Sequence, residues 1–123
     1  MAVVIAVVVA VLFLAMGGYA LAAPGATVRP FGMRADDVRA RYEVRAVYGG
    51  FGVAMAAILI AAAVNPGSLR DGIMVAVAAA LGGMVLGRVV SAVLDARTTF
   101  YPIWLFAVVE AVAAGALLVG AAQ

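Results

Sequence analysis

The chain has 123 residues, of which 68% are hydrophobic and only 11% are charged, and its formal net charge is +2. A soluble domain is about half apolar and about a quarter charged, and a chain this short has too little interior to bury the excess. The absence of His and Cys excludes a thiol nucleophile, an imidazole base, a disulfide and a His/Cys metal site. The small net charge argues against a nucleic-acid partner. The composition therefore predicts an integral protein of the lipid bilayer.

Four apolar segments are long enough to cross a bilayer, which takes roughly 20 residues per helix. The first has no charge and ends at Pro24-Gly25, and a turn at residues 65–68 separates the second from the third, with Ser68 as a candidate N-cap. Pro102 suits the first turn of the fourth helix. Strands are disfavoured because lipid does not tolerate open sheet edges. We predict helices over residues 2–23, 38–64, 69–95 and 102–121, which form one all-α transmembrane four-helix bundle over residues 1–123.

The first segment has a second interpretation, as a signal peptide, because Ala20-Leu21-Ala22 resembles a cleavage site of the A-x-A type. No basic residue precedes its apolar run, and the run is longer than the usual core of a signal peptide. Both features favour a transmembrane helix.

The distribution of arginine predicts the orientation of the bundle. Four spans place both termini and the 65–68 turn on one side, and the connections of residues 24–37 and 96–101 on the other. By the positive-inside rule, both termini then lie outside and the Arg-rich connections are cytoplasmic, with aromatic residues at the cytoplasmic boundary. The first side carries only Arg70, whereas the second side carries Arg29, Arg34, Arg39, Arg41 and Arg97. The aromatic residues are Tyr42, Tyr101 and Trp104.

The ionisable residues inside the spans are predicted to meet in one half of the membrane. At 1.5 Å per residue, Arg88 lies about 10 Å deeper than Asp95, and Glu110 lies about 12 Å beyond the start of the fourth helix. Charges in a membrane usually face the bundle interior and pair, so we expect Arg45 or Arg88 to pair with Glu110. The predicted polar cluster, for binding a ligand, comprises Glu43, Arg45, Tyr48, Arg88, Ser91, Asp95 and Glu110.

Small residues predict close helix packing beside this cluster. They recur every four positions along the third helix, where Gly83 and Gly87 form a G-x-x-x-G motif that permits close approach. The predicted packing residues are Gly49, Gly50, Gly52, Gly83 and Gly87. A purely structural role for both the ion pair and the glycines remains an alternative.

Two sequence stretches, RYEVRAVYGGFGVAMA and LGRVVSAVLDA, and a single Glu in the last apolar helix resemble the domain-of-unknown-function family DUF4345. The resemblance covers nearly the whole chain and implies a short bacterial integral membrane protein with four helices, without an established activity. We expect the protein to lie in the bacterial inner membrane. The chain departs from the family pattern at Val44, which separates Glu43 from Arg45. A looser likeness to DoxX-like membrane proteins, some of which are linked to quinone chemistry, concerns the fold alone. The strongest marks are Glu43, Arg45, Ala46, Tyr48, Gly49, Gly50, Gly87, Arg88, Ser91, Asp95 and Glu110.

Three functions remain open. The first is binding or moving a small amphipathic molecule, such as a lipid or a quinone-like ligand, at the polar cluster. The second is a structural or accessory subunit that packs against a second copy or another membrane protein. The third is a membrane enzyme with an apolar substrate, which is less favoured because the sequence has no nucleotide signature or phosphate loop. No catalytic residue, cofactor or metal site is predicted.

Overall fold

The computed structural model describes residues 1–123 and contains helices and turns but no strand. Its four long helices are each long and apolar enough to cross a membrane. They are α1, Ala2–Ala22; α2, Val38–Val64; α3, Ser68–Leu94; and α4, Phe100–Ala121. The predicted all-α fold with four membrane helices is confirmed, and by length and composition the chain is a multi-pass membrane protein.

Two of these helices contain a wider, π-helical turn. In α2 it covers Arg45–Gly50 and lies between the α-helical stretches Val38–Val44 and Phe51–Val64. In α4 it covers Phe100–Trp104, where Tyr101 has an extended backbone before the regular helix Leu105–Ala121. Such turns interrupt the regular hydrogen-bond ladder and rotate the residues that follow them about the helix axis.

The turn between α2 and α3 corrects one expectation from the sequence. Ser68 is the first residue of α3, and Gly67 occupies the N-cap position without a side-chain cap. Gly67 has φ 103°, which glycine adopts without a steric penalty, so the chain enters the helix one residue earlier than predicted. Arg70 caps the C-terminal end of α2, because its Nε and Nη2 donate to the carbonyls of Ala62 and Ala63 at 2.9 and 2.8 Å.

The core shared by all four helices lies in the half of the bundle that contains both termini. Beyond this core, α1 packs mainly against α2, and α3 mainly against α4. On α3, no residue after Leu81 is buried, although the helix continues to Leu94. The other half of the bundle is therefore open around α3, and this is the half that holds Arg88 and Glu110. The core residues are Val9, Ala10, Phe13, Ala56, Leu59, Met74, Val77, Ala78, Leu81, Ala114 and Leu117.

Glycines bring α1 and α2 into backbone contact. A Cβ added to Gly17 would lie 2.8 Å from the Gly49 carbonyl oxygen, and one added to Gly52 would lie 3.0 Å from the Gly17 Cα. A Cβ on Gly49 would lie 2.7 Å from Leu21 Cδ2. Gly49 and Gly52 thus occupy a tight helix interface, as close approach of membrane helices requires.

The remaining predicted packing glycines, Gly50, Gly83 and Gly87, are not in contact with another helix of the same chain. Around Gly83 and Gly87 no atom lies within 4 Å of an added Cβ, and around Gly50 only the Arg45 carbonyl oxygen does, at 3.7 Å. Within one chain these three residues hold no neighbouring helix. The physical reason is that spacing identifies a face of small residues without showing whether another helix covers that face.

Candidate functional site

The centre of the candidate site is the contact between Arg88 on α3 and Glu110 on α4. Arg88 Nη1 donates a hydrogen bond to Glu110 Oε1. The two side chains retain 20% and 12% of their accessible surface. Because α3 and α4 are antiparallel neighbours, residues at similar distances from their connection come to the same depth. Of the two arginines considered as partners for Glu110, the structure places Arg88 beside it.

A cavity of about 810 Å³ opens next to Arg88, between the last turns of α3 and the first turns of α4. Arg88, Ser91 and Asp95 follow one another at spacings of three and four residues, so they form a polar wall along one face of α3. Ile103 and Trp104 of α4 also line the cavity. The other lining residues are Met84, Gly87, Ala92, Ala96, Arg97 and Thr98. The cavity therefore combines polar groups with apolar and aromatic surface, as binding sites for small molecules commonly do.

The polar groups of the cavity are only partly paired within the protein. Arg88 uses one N–H for Glu110, and its other guanidinium N–H groups have no protein acceptor. Asp95 and Arg97 take part in no ion pair. The backbone N–H of Asp95 donates to the Ser91 carbonyl at 2.8 Å and ends α3. Hydrogen-bonding capacity thus remains available to a molecule in the cavity.

The other predicted cluster residues lie apart from this cavity. Arg45 Nε donates to the Leu21 carbonyl at 2.9 Å, and so satisfies one of the free carbonyls in the last turn of α1. Glu43 is exposed, Tyr48 is half-buried, and neither makes a side-chain hydrogen bond. The structure therefore separates the predicted cluster into an α3–α4 group and an α2 group that contacts α1.

A second set of charges lies in the connection before α2. Arg34 and Asp36 form an exposed ion pair with an N–O distance of 2.9 Å, and Arg41 Nη1 donates to the Asp36 carbonyl at 2.8 Å. Asp37 is the N-cap of α2 and accepts from the backbone N–H of Arg39 at 2.7 Å. Hydrogen bonds from the side chain and then the backbone of Arg39 lower the pKa of Asp37 below its ordinary value. These contacts order the connection and its entry into α2.

Sequence reasoning missed several lining residues. In the sequence, Arg97 and Trp104 mark only the membrane orientation, and no pattern singles out Thr98 or Ile103. The signal that could have found them is their position directly after the polar face of α3, since Arg97 and Thr98 lie in the short connection and Ile103 and Trp104 lie at the start of α4. No group of three or more His, Cys, Asp or Glu side chains comes together in a way that could hold a metal ion.

The family model described as "Domain of unknown function (DUF4345)" matches residues 1–121. No curated protein and no solved structure matches the chain. The match covers the four helices and the cavity residues, so the family resemblance seen in the sequence motifs is confirmed. The looser likeness to DoxX-like proteins stays a prediction.

Proposed function

The chain belongs to the DUF4345 family, and we propose that it binds a small amphipathic molecule or lipid in the cavity between α3 and α4. The observation that carries this proposal is that Arg88, deep in the helix pair, lines a cavity of about 810 Å³ and keeps guanidinium N–H groups without a protein acceptor. A pair that served packing alone would be expected to have its polar groups satisfied by protein, since unpaired polar groups in apolar surroundings are costly.

The shape of the cavity supports an amphipathic occupant. Its polar wall runs from Asp95 at the end of α3 to Arg88, about 10 Å further along the helix. Met84, Ile103 and Trp104 supply apolar surface in the same cavity. A polar head would bind Arg88 and Ser91, and its hydrocarbon chain would continue along the apolar surface into the bilayer.

We further propose that the protein lies in a bacterial inner membrane, with both termini outside and the cavity opening toward the cytoplasm. Arg29, Arg34, Arg39 and Arg97 are all exposed at the proposed cytoplasmic end. Arg70, on the opposite side, is half-buried and bound to helix carbonyls. A reporter domain fused after Gln123 tests this placement, and cytoplasmic activity of the reporter would overturn it.

Native mass spectrometry of the protein released from nanodiscs tests the proposed binding. We expect a co-purified molecule of defined mass on the wild type, lost in Arg88→Gln. Arg45→Gln is the matched control, because Arg45 is an arginine of the same half of the bundle that does not line the cavity. A bare chain in all three proteins, or equal retention in the two variants, would refute the proposal.

One observation favours the alternative function, a structural or accessory subunit. The face of α3 that carries Gly83 and Gly87 has no neighbour within the chain, and such faces permit close helix contact with a second copy or another membrane protein. Joint replacement of Arg88 and Glu110 by apolar residues separates the two functions. If the doubly substituted protein still assembles with its partner, and the wild type carries no bound ligand, the accessory role is favoured over binding.

A further inference from the structure

The ligand's chemistry can be narrowed by the charge balance of the cavity, and this step rests on the proposed function. We infer that the cavity selects a lipid whose polar head is an uncharged hydrogen-bond acceptor, such as an ester or ketone carbonyl, over one with an anionic head. The position of Glu110 sets this preference, although Glu110 itself does not line the cavity.

The first argument is that Arg88 offers hydrogen-bond donors as part of an ion pair that has no net charge. Its positive charge is matched by Glu110, which contacts Nη1 and does not line the cavity. A guanidinium group has five N–H donors in a planar fork, so four remain after this bond. An anion would have to compete with Glu110 for Arg88, whereas a carbonyl oxygen can accept from the free N–H groups and leave the pair intact.

The second argument is that the positive and negative charges at the mouth of the cavity also balance. Arg97 and Asp95 both line it, so with the deeper pair two positive charges are matched by two negative charges. Ser91 and Thr98 add hydroxyl groups there. An anionic head entering this neutral set would bring an uncompensated charge below the membrane surface, which costs free energy. A carbonyl brings no charge and gains the same hydrogen bonds.

The role of Glu110 follows from these two arguments. It is a positioning residue that neutralises Arg88 without touching the ligand. In Glu110→Gln the side-chain carbonyl can still accept from Arg88, but the negative charge is gone, so the cavity gains one net positive charge. The preference should therefore shift toward an anionic head, an effect that a residue needed only for helix packing would not produce.

The single tryptophan of the chain provides the readout, because Trp104 lines the cavity. The full-length protein in nanodiscs is titrated with dibromostearate or its methyl ester, whose bromine atoms quench tryptophan fluorescence on contact. A mildly alkaline buffer keeps the acid ionised, and the two probes differ in the head group by its negative charge and one methyl group. Arg88→Gln measures the quenching that comes from unspecific contact with membrane lipid.

We expect saturable quenching of the wild type by the methyl ester, with an affinity on the order of tenfold higher than for the acid, since an uncompensated charge is costly below the membrane surface. In Glu110→Gln this preference should disappear or reverse. Asp95→Asn removes a negative charge and leaves the Arg88–Glu110 pair intact, so it should also shift the preference toward the acid. This variant carries the test if Glu110→Gln does not fold.

Three results would overturn the inference. Equal or tighter binding of the acid by the wild type would refute the neutral-head preference and leave the proposed function standing, because a saturable site would still exist. An unchanged preference in the folded charge variants would refute the assigned role of Glu110. Quenching of the wild type that does not saturate with either probe, and that equals the quenching of Arg88→Gln, would refute the proposed function together with the inference.

Discussion

The contact between α1 and α2 gives a sharp test of the packing, through the substitution Gly17→Ala. The added Cβ would lie 2.8 Å from the Gly49 carbonyl oxygen and 2.8 Å from the Val53 backbone nitrogen. Both are backbone atoms, so no side-chain rotation can relieve the overlap, and the two helices must separate by several tenths of an ångström. Overpacking of this kind costs about 1–3 kcal/mol. We expect Gly17→Ala to lower the free energy of unfolding by that amount relative to a helix glycine-to-alanine substitution whose Cβ meets no neighbouring atom.

Gly18→Ala is the matched control for this prediction. It adds the same methyl group to the next residue of the same helix, where no atom lies within 4 Å of the new Cβ. Replacing glycine by alanine in a helix interior is otherwise favourable by up to about 1 kcal/mol, so the control should be at least as stable as the wild type. The assay is equilibrium unfolding in mixed micelles with increasing mole fraction of SDS, followed by far-UV circular dichroism. Equal stability of the two variants would refute the backbone contact between α1 and α2.

Three further predictions concern the charges. Arg88→Met leaves Glu110 largely buried without a partner and should destabilise the protein by about 3–5 kcal/mol in the same SDS assay. Arg88→Met with Glu110→Leu should recover most of the loss, and no recovery would contradict the pairing. Arg70→Met removes the donors to two carbonyls at the end of α2 and should cost about 1–2 kcal/mol, so wild-type stability would exclude this cap. Arg39 lowers the pKa of the Asp37 carboxyl group. The ionised carboxylate therefore stabilises the folded protein fully above the ordinary pKa of 3.8, and this stabilisation is lost as the pH falls through the lower pKa of the folded state. An NMR titration of the Asp37 carboxyl group should therefore have its midpoint below 3.8, and a midpoint at or above it would refute the hydrogen bonds.

The open half of the bundle connects the fold with the proposed function. The shared core ends at Leu81 on α3, and beyond it this helix has one main neighbour, α4. A helix pair with few other contacts leaves room for a cavity and gives lipid-phase molecules lateral access to it. The same openness exposes Gly83 and Gly87, so ligand binding and association with a partner would use adjacent parts of α3.

The sequence by itself determined the membrane character, the four spans and the position of each charge along its helix. These follow from composition and from the fixed rise of a helix, which places Arg88 and Glu110 at similar distances from the connection between their helices. Proline, glycine and turn residues in the sequence also indicated the ends of the helices, although Gly67 rather than Ser68 is the N-cap residue of α3.

Only the tertiary structure decided which residues meet. Depth along a helix does not fix the rotation of the helix about its axis or the identity of its neighbours, and the π-helical turn at Arg45–Gly50 changes that rotation further. Arg45 therefore binds the Leu21 carbonyl of α1, while Arg88 alone contacts Glu110. The cavity beside Arg88 arises because α3 continues past the shared core with only α4 against it, and this arrangement of helices is not encoded in any local pattern of the sequence.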